Sequence, residues 1–213
     1  MDDHFLLLEF LCMSLHAPLE SLATFAGKQG AEEAQRISPA IEDWALSPGG
    51  RKSLWYAAQV YRLARKLPPV LIRDFRAIVV YSASLVFWIY GVIHGARAAK
   101  GLALSSQSRE RDARSVNEAV LLDGDLSSRV HKFISIAHGL PGLSVPSSIG
   151  GQLDYSNTTG SIFVHDISSM MGVALEILEE HGQGCESIPS DFVENITSLM
   201  RGLAQAAQAI GLG

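Results

Sequence analysis

Residues 77 to 93 read AIVVYSASLVFWIYGVI, seventeen positions without a charge, and a helix so apolar must be hidden either in a bilayer or in a protein core. Seventeen is the lower limit of the roughly 17–25 residues that span hydrocarbon, and Tyr81, Ser82, Ser84 and Tyr90 interrupt the run. Basic residues flank it on both sides, so the flanks encode no orientation. The run therefore predicts a buried central helix within a longer one over residues 70–98, and no membrane as a partner. A chain of 213 residues that is 47% hydrophobic and only 18% charged, with mean hydropathy +0.18, carries enough apolar surface to build a core around such a helix.

The remaining elements read as helices that stack on it. Residues 3–16 are apolar nearly all round, FLLLEFL being the extreme, so this helix needs covering on more than one side. A short helix over 19–27 follows Pro18 and stops at Gly27. Ser38-Pro39 and Ser47-Pro48 each place a hydroxyl before a proline, the pattern of a helix start. In residues 51–67, Leu54, Ala58 and Tyr61 recur at helical spacing with Trp55 beside them, while Lys52, Gln59, Arg62 and Lys66 share the opposite face. A further helix is expected at 127–137, closed by Gly139 and Pro141. Another is expected at 163–181, with Ile167, Met170, Met171, Ala174 and Leu178 inward and Gly182 as its stop. A last one starts at Ser190, with Phe192, Ile196, Leu199, Leu203, Ala206 and Ile210 as its apolar stripe. No strand pattern of comparable length stands out. The expected fold class is all-α: helices stacked around one long central apolar helix, with two long polar loops at 99–118 and 142–161. Residues 1–98 form an N-terminal helical half, 99–118 a polar mobile connection, and 119–213 a C-terminal helical half of the same domain.

Charge is segregated along the chain. Residues 1–50 carry 2 basic and 8 acidic residues, residues 51–114 carry 12 and 3, and residues 115–213 carry 3 and 11. Since the basic residues form no tight run, the expectation is that basic and acidic segments face each other within one fold rather than a nucleic acid.

The sequence offers little to a chemist. Cys12 and Cys185 are the two cysteines, too far apart and too few for a zinc site or a disulfide framework. Cys12 with His16, and His131 with His138, could share a helix face, but neither pair brings a third ligand. Asp123 and Asp125 in LDGD lack the further oxygens of a calcium loop. SPGGRK at 47–52 has two glycines and a basic pair, but no G-x-x-x-x-G-K-[ST] and no preceding strand, so it reads as a helix start rather than a phosphate loop. No nucleophile elbow is present. The Asn157 and Asn195 acceptor triplets matter only in a secreted chain. The expectation is a non-enzyme with no catalytic, cofactor-binding or metal-binding residues of its own.

Three segments carry a resemblance. WALSPGGRKSLWYAAQVYRLARKLPP, with the following RDF and YSASLVFWIYG; LDGDLSSRVHKFISIAHGLPGL; and FVENITSLMRGLAQAA together resemble, in that order, the C-terminal helical regulatory region of fungal-specific transcription factors of the Cys2His2 or zinc binuclear cluster type. The resemblance covers roughly residues 30 to 210. It implies a non-DNA-contacting regulatory domain that controls RNA polymerase II transcription in the nucleus through intramolecular or partner contacts. The implied partners are the factor's own N-terminal DNA-binding module, protein co-regulators or a second copy, with no direct nucleic acid contact. The zinc finger is missing from this chain, so zinc is expected only in an upstream module, and the chain reads as a truncated form or a fragment of such a factor. A helical ligand-binding protein or enzyme, with a pocket between the long helix and its neighbours, is the alternative.

Overall fold

The computed structural model describes residues 2–67, 75–99, 118–144, 160–179 and 191–209. The connection at 100–117, with Arg109, Arg111 and Arg114, lies outside the described residues, as do most of the second loop (145–159), Cys185, Asn157, Gly182, Ser190 and Ile210. The described chain is mostly helical, as expected. Helices α1 (Asp2–Ser14), α2 (Leu19–Ala23), a π-helical turn (Thr24–Lys28), α3 (Ala31–Leu46), α4 (Pro48–Ala64) and α5 (Phe75–Ala99) come first. Then follow β1 (Ala119–Leu121), α6 (Ser128–Ile136), β2 (Leu140–Ser144), β3 (Ser161–Phe163), α7 (Ile167–Glu179) and α8 (Asp191–Ala209).

Helix α5 is the axis. It is long and apolar enough to cross a membrane, yet 83% of its most apolar window is buried inside the protein. It packs on α4, α7 and α8, and also touches α1, α2 and α3. Its polar residues are accommodated internally: the Tyr61 hydroxyl of α4 lies 2.7 Å from Ser84 Oγ, and Ser84 donates back to the Val80 carbonyl at 2.8 Å. Tyr61 also packs on Phe87, ring centroids 5.0 Å apart. Burial pushes the Tyr61 phenol well above its ordinary pKa, so it stays a neutral core group. Gly91 is required where α5 meets the start of α7, because a Cβ there would come 2.7 Å from Ile167 Cγ1 and 2.8 Å from the Val164 carbonyl oxygen.

Two expectations of helix placement are corrected. Ser38-Pro39 does not start a helix: α3 begins at Ala31 and carries Pro39 in its interior. Ile37, Ile41 and Ala45, spaced i, i+4, i+8 on the packed face, hold the helix through the proline. Residues 161–163 are strand rather than loop and helix, and α7 starts only at Ile167, where Asp166 Oδ1 accepts from the Ser169 amide at 3.0 Å. Helix α6 runs between its Ser127 cap and Ala137, the latter in the left-handed region at φ 56°, within the expected bounds of 127–137.

The small sheet is the element the sequence did not announce. Strand β1 pairs parallel with β2, with α6 as the crossover, and β3 adds antiparallel to the other edge of β2. Strands of three, five and three residues are too short to show an alternation. Pro141 sits in the middle strand, where a missing amide is ordinarily costly. It is tolerated because the pairing with β3 reaches only as far as Gly142 opposite Phe163, while the Pro141 carbonyl still accepts from the Val164 amide at 2.9 Å.

Candidate binding surfaces

Helix α4 explains where the polar sequence goes. Ser47 caps it, its Oγ accepting from the Gly50 amide at 3.0 Å, with Pro48 in the first turn. Gly50 is obligatory because a Cβ would run into the Trp44 carbonyl. Arg51 is 6% exposed and is aimed at helix ends: Nη1 donates to the Leu46 carbonyl at 2.7 Å, Nε to Ile134 at 2.8 Å and Nη2 to Ser135 at 3.3 Å. These are the C-terminal carbonyls of α3 and α6, where the backbone dipoles concentrate negative charge. Among the described residues Arg51 forms no ion pair, so the two helix ends act as its counter-charge. The stretch SPGGRK is thus a capped helix start followed by a buried clamp.

Further along α4, the polar face that carries Gln59 and Arg62 meets residues 118–144. The Gln59 amide is buried and donates to the carbonyls of Leu122 at 2.7 Å and Gly124 at 2.9 Å. Arg62 pairs with Asp125 at 3.2 Å, and Arg65 approaches Asp123 at 3.5 Å. Asp123 in turn accepts from the Ser144 amide and from Ser144 Oγ, the latter at 2.5 Å. LDGD is therefore a structural turn that joins the strand ends to α4. Basic and acidic segments face each other here, as the charge pattern anticipated.

Of the paired residues weighed for metal, Cys12 and His16 lie beside Tyr56. The ring of His16 stacks on that of Tyr56 with centroids 5.9 Å apart. His131 is exposed and His138 half-buried. Among the described residues no group of three or more His, Cys, Asp or Glu could hold a metal ion. His94 stacks on Tyr90 with centroids 4.1 Å apart, and its Nε2 is buried without a partner among the described residues. Burial holds its pKa below the ordinary imidazole value.

Two surfaces remain. The first is a groove of about 650 Å³ between the α2 and π-turn segment, α5 and α8. Tyr81 and Trp88 form its floor, Ala23, Ala26 and Gly27 one wall, and Leu199, Gly202 and Ala206 the other. The indole of Trp88 donates to the Leu203 carbonyl at 2.9 Å, so its ring faces the groove with its polar edge satisfied. Lys28 lines one edge and is paired with Glu20 at 2.9 Å. The apolar stripe expected on the last helix is corrected here: Ile196, Met200 and Leu203 are buried, whereas Leu199 and Ala206 are exposed on the groove wall.

The second surface is α1. Leu6 and Met13 are buried and Phe10 packs edge-on against Phe75, centroids 5.6 Å apart. Leu8 and Leu11 are each 52% exposed and Leu15 81%, with Phe5 and Leu7 also exposed. Among the described residues, the covering on several sides that this helix calls for is present on one side only. Phe75 and Ile78 extend the exposed apolar surface onto the start of α5. Sequence spacing found the apolar helix but had no means of telling which of its faces a neighbour would take.

No protein-family model, no curated protein and no solved structure matches the chain.

Proposed function

We propose that this chain is a non-catalytic regulatory domain of the transcription-factor kind its segments resemble, acting in the nucleus through contacts with its own factor or with co-regulators rather than through DNA. The observation that carries this is the apolar face of α1, Phe5, Leu8, Leu11 and Leu15, left uncovered by a fold that buries comparable residues elsewhere. Contiguous exposed apolar surface of this kind marks an interaction site. The buried polar groups of α4 support a binding role over a catalytic one, since Arg51, Gln59 and Arg65 are bonded to backbone carbonyls and to Asp123. To test it, the chain is fused to an unrelated DNA-binding module and a reporter promoter is read. A change in output relative to the module alone is expected; output equal to that of the bare module contradicts the proposal.

A second function, small-molecule binding, is favoured by the groove, whose volume of about 650 Å³ falls within the range of ligand sites. Native mass spectrometry of the gently purified chain tests it. A retained mass lost on Trp88→Ala supports it, and a bare chain under all preparations argues against it.

A further inference from the structure

We infer that α1 is the seam of a closed two-fold homodimer in which the α1 helices of two copies pack antiparallel. This rests on α1 being the contact face, as proposed above, and adds the identity of the partner: a second copy of the same chain. The exposed positions are not scattered. His4, Leu8, Leu11 and Leu15 recur at steps of four, three and four, the alternation of steps that keeps one seam facing a partner helix. All four are exposed, and the opposite face, with Leu6 and Met13, is already buried, so among the described residues this seam is open, and it is self-complementary. With the axis between Leu8 and Leu11, each of these leucines meets the other on the second copy, and Leu15 meets His4.

The area suffices. The exposed fractions of Phe5, Leu7, Leu8, Leu11 and Leu15 amount to roughly 500 Å² per copy, so a pairing that covers the flanking Phe5 and Leu7 as well as the seam removes up to about 1,000 Å² in total, the lower bound for a specific interface. Charge selects the direction. In sequence α1 opens on Asp2 and Asp3 and contains no Lys or Arg. Its C-terminal end lies beside α4, where His16 stacks on Tyr56 and Lys52 stands one turn before Tyr56 on the same helix face. An antiparallel pair sets each acidic start against the other copy's Lys52 end and opposes the two helix dipoles. A parallel pair would set the acidic starts against each other, a like-charge cost.

Sedimentation equilibrium of the full chain across micromolar concentrations tests the inference. The expected mass is twice the 23.0 kDa of the chain, and Leu8→Lys/Leu11→Lys is expected to return it to 23.0 kDa with an unchanged circular dichroism spectrum, since both side chains are already exposed. Lys52→Glu is expected to weaken association by about tenfold. A wild-type chain at 23.0 kDa throughout, an open-ended series of larger species, or a lysine variant that still pairs would each overturn the dimer. An unchanged dissociation constant in Lys52→Glu would overturn the antiparallel arrangement. If the wild type is monomeric while the tethered reporter still responds to the lysine variant, the dimer fails and the contact face of α1 stands.

Discussion

Arg51 shows how one residue can decide the arrangement of three helices. Its guanidinium gathers the carbonyl ends of α3 and α6 at the start of α4, a geometry suited to a planar fork with several donors. Arg51→Met retains the apolar stem and removes every donor. It is expected to destabilise by about 2–4 kcal/mol, because buried carbonyls lose their partners, with Arg51→Lys recovering only part. Denaturant titration checks this, and a loss below about 0.5 kcal/mol would show that water replaces the clamp. His94 supplies a pH test. Burial is the largest cause of its lowered pKa; Arg97 and Arg51 act in the same direction and a hydrogen bond with the backbone of Ala45 opposes them. The unfolded chain takes up a proton near pH 6.5, and the folded chain does so only at lower pH. Stability therefore falls as pH drops through about 6.5 toward the folded value. His94→Gln is expected to show a shallower fall between pH 7 and pH 5, whereas equal slopes would mean that His94 is not the group responsible.

At the scale of elements, period and chemistry made some features legible and hid others. Helix α7 was legible because its five apolar positions are all buried, and Ser47-Pro48 because a cap is local chemistry. The start of α3 was not, since Ser38-Pro39 has the same local chemistry and tertiary packing overrides it. The sheet was hidden by strand length, and the burial of Gln59 by the fact that a polar stripe facing backbone carbonyls looks the same in sequence as one facing water. Trp55 and Leu203 separate the two kinds of apolar position. Both fall on apolar helix patterns, but Leu203 is buried while Trp55 is half-buried, packed on Tyr56 and without a partner for its indole N–H among the described residues. Leu203→Ala is expected to cost about 2–5 kcal/mol, and Trp55→Ala about 1–2 kcal/mol, in keeping with its partial burial. Equal losses in thermal or denaturant unfolding would contradict the placement of α8 against α5.

For the whole molecule, α5 and α4 make one body of the two halves that the polar connection suggested. Helix α5 packs on α4 as well as on α7 and α8, and the polar face of α4 is bonded to the strands and α6. The fold class was thus legible from one apolar run, whereas the binding surfaces were not, because a groove and an uncovered helix face exist only where several helices fail to meet. The proposed function rests on the uncovered face of α1, and the most direct measurement is reporter output from the chain tethered to an unrelated DNA-binding module, parent against Leu8→Lys/Leu11→Lys. Output falling to that of the bare module, with the helical spectrum and melting cooperativity of the variant retained, is the predicted result. Full output from a folded lysine variant would contradict it and move the search to the groove beneath α8.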